Sequence, residues 1–126
     1  MDEIIEVSLV CDEVTSVLNE YYRKFYDTDE VYVSLESKAN FMGCNEALVP
    51  TTDVILKRPV SVGKINTTCL TKLSKESLIE AFNDILDKDY LVNSLEIRSK
   101  IESNEARFQA IDLKLKKKEK VKQKIK

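Results

Sequence analysis

Histidine is absent from the 126-residue sequence, and glycine and proline occur only twice each. Without histidine, neither a Ser-His-Asp nor a Cys-His arrangement can form. The three cysteines, Cys11, Cys44 and Cys69, are widely spaced and make no Cys-x-x-Cys pair, so no zinc-ligand pattern is present. They read as reduced thiols in a cytoplasmic or nuclear protein. The chain opens on the acidic Met1-Asp2-Glu3 and has no apolar run near the ~18 residues of a membrane span. Lys64 follows Gly63, but no glycine stands five residues before Gly63 and no Ser or Thr follows Lys64, which excludes a phosphate-cradling loop. The expectation is a non-enzymatic protein with no cofactor, metal, small-molecule substrate or membrane contact.

The scarcity of glycine and proline also shapes the fold expectation. Gly43, Pro50, Pro59 and Gly63 all fall near the centre, leaving two long uninterrupted arms. In the first arm, residues 3–48, apolar residues recur at steps of three and four. The series is Ile4, Val7, Cys11, Val14, Leu18, Tyr21, Phe25, Thr28, Tyr32, Leu35, Ala39 and Met42. Such a repeat is the seam of a coiled-coil helix. A competing reading makes Asp27-Thr28-Asp29 a turn and Val31, Val33 and Leu35 the inner face of a strand. The continuous helix is preferred because the seam crosses this region without a phase slip.

The second arm, residues 74–113, opens on Ser74 as a capping residue. Its apolar residues Leu78, Phe82, Ile85 and Leu86 lead into a second seam, Ile97, Ile101, Asn104, Phe108, Ile111 and Leu115. Asn104 reads there as a polar residue that sets register. Between the arms, residues 49–73 are rich in β-branched residues and read as a hairpin turning near Gly63-Lys64. The expected fold is a single domain, 1–126, mostly α with a small β-hairpin: an antiparallel helical hairpin.

The run Val54-Ile55-Leu56-Lys57-Arg58-Pro59-Val60-Ser61-Val62-Gly63-Lys64 resembles the hairpin of β-class prefoldin subunits, with Arg58 where that class usually has glycine. Asp29-Glu30-Val31-Tyr32-Val33-Ser34-Leu35 is similar to the first helix of prefoldin-like subunits. The resemblance implies a chaperone or co-chaperone subunit in a hetero-oligomer. Its assembly hairpin would use Val54, Leu56, Val60, Val62 and Ile65, and its helical tip would offer Ile4, Ile5 and Leu9.

A charge asymmetry supports a different function. Residues 114–126 hold Lys114, Lys116, Lys117, Lys118, Lys120, Lys122, Lys124 and Lys126 against one glutamate, on a chain whose net charge is −2. A basic tail of this kind reads either as a solvated helix end or as a contact for RNA phosphates or acidic protein segments. The alternative expectation is therefore a ribosome- or RNP-associated factor, such as a translation or dormancy factor, contacting rRNA through this tail. The tail lacks interleaved aromatics and arginines, so it should read charge rather than base sequence.

Overall fold

The computed structural model describes residues 3–42, 47–86 and 88–118. In chain order they form β1 (Ile4–Leu9), α1 (Cys11–Tyr26), β2 (Tyr32–Met42), β3 (Ala47–Val62) and β4 (Ile65–Lys72). Then follow α2 (Lys75–Ile85), β5 (Tyr90–Glu102) and β6 (Glu105–Lys117). The strands make two antiparallel three-stranded sheets, ordered β1-β6-β5 and β2-β3-β4. This overturns the mostly-α, coiled-coil and prefoldin-like expectation: among the described residues, 3–48 hold one helix of 16 residues between strands, and 74–113 hold one of 11. No helix among the described residues is long and apolar enough to cross a membrane.

The first arm breaks at Asp27. That residue takes the left-handed conformation (φ 52°), and its N–H turns back to the carbonyls of Arg23 and Lys24. Thr28 N–H reaches the Arg23 carbonyl at 3.1 Å, which satisfies the last carbonyls of the helix. The chain then becomes extended. Val31 and Val33 are buried while Tyr32 between them is exposed, the period of two that a half-buried strand requires. Asp27-Thr28-Asp29 is thus a turn, and residues 32–42 are strand.

The second arm starts as a helix capped by Ser74, whose Oγ accepts from Ser77 N–H at 3.1 Å. It leaves the helical conformation at Leu86, whose backbone is extended (φ −68°, ψ 158°). Residues 90–117 then form a long hairpin. Its two-residue turn is Ser103-Asn104, both left-handed (φ 53° and 65°), between the facing pair Glu102 and Glu105. Two left-handed central residues are the mark of a type I′ turn, whose twist suits the flanking strands. Asn104 is therefore a turn residue, not a seam residue.

One core unites these elements. Val14, Leu18 and Tyr22 of α1 and Leu78, Ala81 and Phe82 of α2 pack with Val33, Val54, Leu56, Leu95, Ile111, Leu113 and Leu115 from both sheets. β3 lies against β5, and β2 against β6. Where the sheets meet, Thr52 Oγ1 is within hydrogen-bonding distance of Ser37 Oγ (2.7 Å) and Ser99 Oγ (2.6 Å), linking β2, β3 and β5.

Asp112 ties the other sheet together. Its carboxylate accepts from Ser8 Oγ of β1 (2.6 Å) and from Arg98 Nε and a terminal guanidinium nitrogen of β5 (2.9 and 3.1 Å). The hydrogen bond from Arg98, then that from Ser8, hold the Asp112 carboxyl down at about 2. A depressed folded-state pKa stabilises the fold above the unfolded value of about 3.9, and that contribution is lost as pH falls through about 2. Asp112→Asn should therefore melt below the parent at pH 5–7, with the gap closing between pH 4 and 2. Thermal melts across that range test this; a gap independent of pH would exclude the linkage.

Candidate nucleic-acid interface

Past Lys57, the last residue of β3 that faces β2, the paired strands β3 and β4 leave the core and continue as a two-stranded ribbon. Register runs from Arg58 opposite Cys69 to Val62 opposite Ile65. Residues 61–68 are all exposed, so neither face of the ribbon's outer half is covered. The turn is Gly63-Lys64: Gly63 is left-handed (φ 63°) and Lys64 is not, the pattern of a type II′ hairpin with glycine first. Ser61 Oγ donates to Asn66 Oδ1 across the strands at 2.9 Å.

The ribbon is basic. From Val54 to Lys75 the sequence carries Lys57, Arg58, Lys64, Lys72 and Lys75 and no carboxylate. Two of these cations are paired with acids elsewhere, Lys72 with Asp53 (3.2 Å) and Lys75 with Glu96 (3.5 Å). Lys57 and Arg58 instead rest on rings. Lys57 Nζ is 5.7 Å from the centre of Tyr32, and the Arg58 guanidinium carbon is 4.8 Å from the centre of Tyr26. A cation over an aromatic face is attracted by the ring's electron-rich surface and held in place. Lys64 projects from the exposed turn, and Glu30 is the acidic group that lines the groove beside Pro59, Ser61, Asn66 and Thr67.

Beside the ribbon's base lies a cluster of four rings on the last turns of α1. Tyr21 meets Tyr22 edge-on at 4.9 Å between ring centres, Phe25 meets Tyr26 in the same way at 4.9 Å, and Tyr22 stacks with Tyr26. Phe25 is 65% exposed. Burial, then the neighbouring Tyr21, Tyr26 and Glu80, push the Tyr22 hydroxyl up to about 12, so it stays neutral. These rings, with Leu56, Thr71 and Leu73, line a half-open cleft of about 220 Å³.

A broad concavity along α1 is lined by polar groups that serve the fold. Asn19 Oδ1 accepts from Val33 N–H at 2.6 Å, Arg23 Nε donates to the Val31 carbonyl at 3.2 Å, and Glu20 pairs with Lys24. Among the described residues no group of three or more His, Cys, Asp or Glu is placed to hold a metal ion.

The residues expected from the sequence are divided by the fold. Val54 and Leu56, expected on an assembly hairpin, are buried in this chain's own core. Val60 is half-buried, whereas Val62 and Ile65 are 64% and 67% exposed at the ribbon tip. Ile4, Ile5 and Leu9 lie on β1, an edge strand paired with β6, and not on a helical tip. Of the basic tail, Lys114, Lys116 and Lys117 are in β6 and Lys118 follows it. Lys120, Lys122, Lys124 and Lys126 lie outside the described residues, as do Gly43 and Cys44. Lys57, Arg58 and Lys64 are not among the residues expected from the sequence; the signal for them is the acid-free run from Val54 to Lys75. No family model, characterised protein or solved structure matches this chain.

Proposed function

We propose that this protein is a non-catalytic nucleic-acid-binding module that lays its β3–β4 ribbon into the groove of a duplex. The observation that carries this reading is a projecting ribbon, exposed on both faces over residues 61–68, with Lys64 at its turn, Lys57 and Arg58 half-buried at its base, and no carboxylate of its own. A B-form major groove, about 12 Å wide, admits a two-stranded ribbon. The five residues Arg58–Val62 span roughly 17 Å at ~3.4 Å per residue, enough to run along a groove rather than touch one phosphate. Lys57, Arg58 and Lys64 would neutralise phosphates, and the hydroxyls of Thr67 and Thr68 add donors that position the ribbon without reading sequence. Lys57 on Tyr32 and Arg58 on Tyr26 are the pre-oriented members of the set. The unpaired thiols Cys11 and Cys69 fit a reducing compartment, cytoplasm or nucleus.

Fluorescence anisotropy with a labelled DNA duplex tests this. Binding should weaken linearly on a log–log plot against salt, with a slope of about −0.9 for each phosphate neutralised. The triple variant K57Q/R58Q/K64Q should lose roughly 2.7 from that slope. A parent protein that fails to bind duplex DNA at low salt, or a triple variant with the parent's slope, would exclude the reading. Duplex RNA, with its deep and narrow major groove, should bind more weakly than DNA through this ribbon.

A further inference from the structure

The element order is βαββ written twice: β1-α1-β2-β3 and then β4-α2-β5-β6. Exchanging β1 with β4, β2 with β5 and β3 with β6 converts one sheet order into the other. Each unit therefore lends its first strand to the other's sheet. The match continues at the level of side chains. One step along the sequence carries Val14 to Leu78, Leu18 to Phe82 and Asn19 to Asn83, with the two apolar pairs buried in the core. Asn19 Oδ1 accepts from Val33 N–H at 2.6 Å, and Asn83 Oδ1 accepts from Val92 N–H at 2.7 Å. Val33 faces Leu56 across its sheet, and Val92 faces Leu115. A single step then carries Val54 to Leu113, Leu56 to Leu115 and Asp53 to Asp112. Both aspartates are held from the strand that precedes a helix, Asp53 by Lys72 (3.2 Å) and Asp112 by Ser8 (2.6 Å).

That same step carries Lys57 to Lys116 and Arg58 to Lys117. We propose that the chain is an internally duplicated, strand-exchanged pair of βαββ units, and that the end of β6 bearing Lys116 and Lys117 is a second phosphate-binding site equivalent to the ribbon. This inference rests on the duplex-binding reading of the ribbon. Lys114, Lys117 and Lys118 are exposed and extend the basic strand end. The two sites differ in their second strand. β4 brings Cys69, Thr68 and Thr67 to the ribbon, whereas β1 brings Ile4 opposite Lys116 and Glu6 opposite Lys114. The second site therefore has less hydroxyl donation and an acid nearby, and acts through charge alone.

The experiment compares full-length K57Q/R58Q, K116Q/K117Q and the quadruple variant in salt titrations of a labelled DNA duplex. Each double variant should reduce the slope by about 1.8 and the quadruple by about 3.6. K116R/K117R, which keeps the charges, should restore the parent slope and so exclude a folding defect as the cause. If K116Q/K117Q keeps the parent's slope while K57Q/R58Q loses it, the second site is overturned and the ribbon reading stands. If neither variant alters a salt-dependent slope, or the parent does not bind, the ribbon reading falls and this inference with it.

Discussion

Phe82→Ala should lower the free energy of unfolding by ~3–5 kcal/mol, the cost of deleting a buried aromatic ring and leaving a cavity. Phe82 is 2% exposed and sits among side chains from both helices and both sheets. It is among the largest buried side chains of the chain, so no single neighbour can move to fill the space. Against a total stability of roughly 5–15 kcal/mol, a loss of that size leaves the variant partly unfolded at ambient temperature or close to it. Phe25→Ala is the control. Phe25 is 65% exposed and its ring contacts are confined to tyrosines of its own helix, so its removal should cost under about 1 kcal/mol. Urea unfolding monitored by circular dichroism gives both numbers. In a coiled-coil hairpin Phe25 would be a seam residue, and its truncation would cost as much as that of Phe82. Equal losses for the two variants would exclude the burial pattern described above.

The coiled-coil expectation failed for an identifiable physical reason. A spacing of four is a multiple of two, so residues four apart share one face of a helix and also one face of a strand. Ile97 with Ile101 and Ile111 with Leu115 satisfy both templates. The residues between them decide: Leu113, midway between Ile111 and Leu115, is 2% exposed, as strand alternation demands. Val31 and Val33 give the same evidence in the first arm, and the strand reading of 31–36 was available from them. Scarce glycine then reinforced the error. Reversals that usually call for glycine are made here by Asp27, Ser103 and Asn104 in left-handed conformations. Asn and Asp tolerate that region because their short side chains can bond locally, so a chain poor in glycine can still turn often.

Other features were legible. The apolar positions Val14, Leu18, Leu78 and Phe82 and the cap at Ser74 follow from helical spacing and capping chemistry. The β-branched centre does turn at Gly63-Lys64, but β3 also pairs along β2, so its inner residues Val54 and Leu56 belong to the core and only its outer half is free. The division between core strand and projecting ribbon depends on how far β2 runs along β3, a pairing that ends at Lys57. That is a tertiary fact, and no local pattern in residues 47–62 encodes it. The charge run at the C-terminus was legible as charge; its correspondence with Lys57 and Arg58 needed the strand pairing.

Asn19→Ala and Asn83→Ala should each cost about 1–3 kcal/mol, the penalty for leaving a buried or half-buried N–H without an acceptor. β2 and β5 are edge strands of their sheets, so the N–H groups on their outer sides have no ladder partner. The amide of Asn19 supplies the acceptor for Val33 and that of Asn83 for Val92, each from the ninth position of its helix. The two bonds fix how each helix lies along the edge of its own unit. Truncation should therefore loosen the edge locally as well as lowering global stability. Hydrogen exchange followed by NMR separates the two effects: Asn19→Ala should release the Val33 amide while leaving Val92 protected, and Asn83→Ala should do the reverse. Asp at either position retains an oxygen acceptor and should recover protection of the facing amide. If Asn19→Ala leaves Val33 as protected as in the parent, the bond does not restrain that edge; if it releases Val33 and Val92 equally, its effect is global unfolding and not a local clasp.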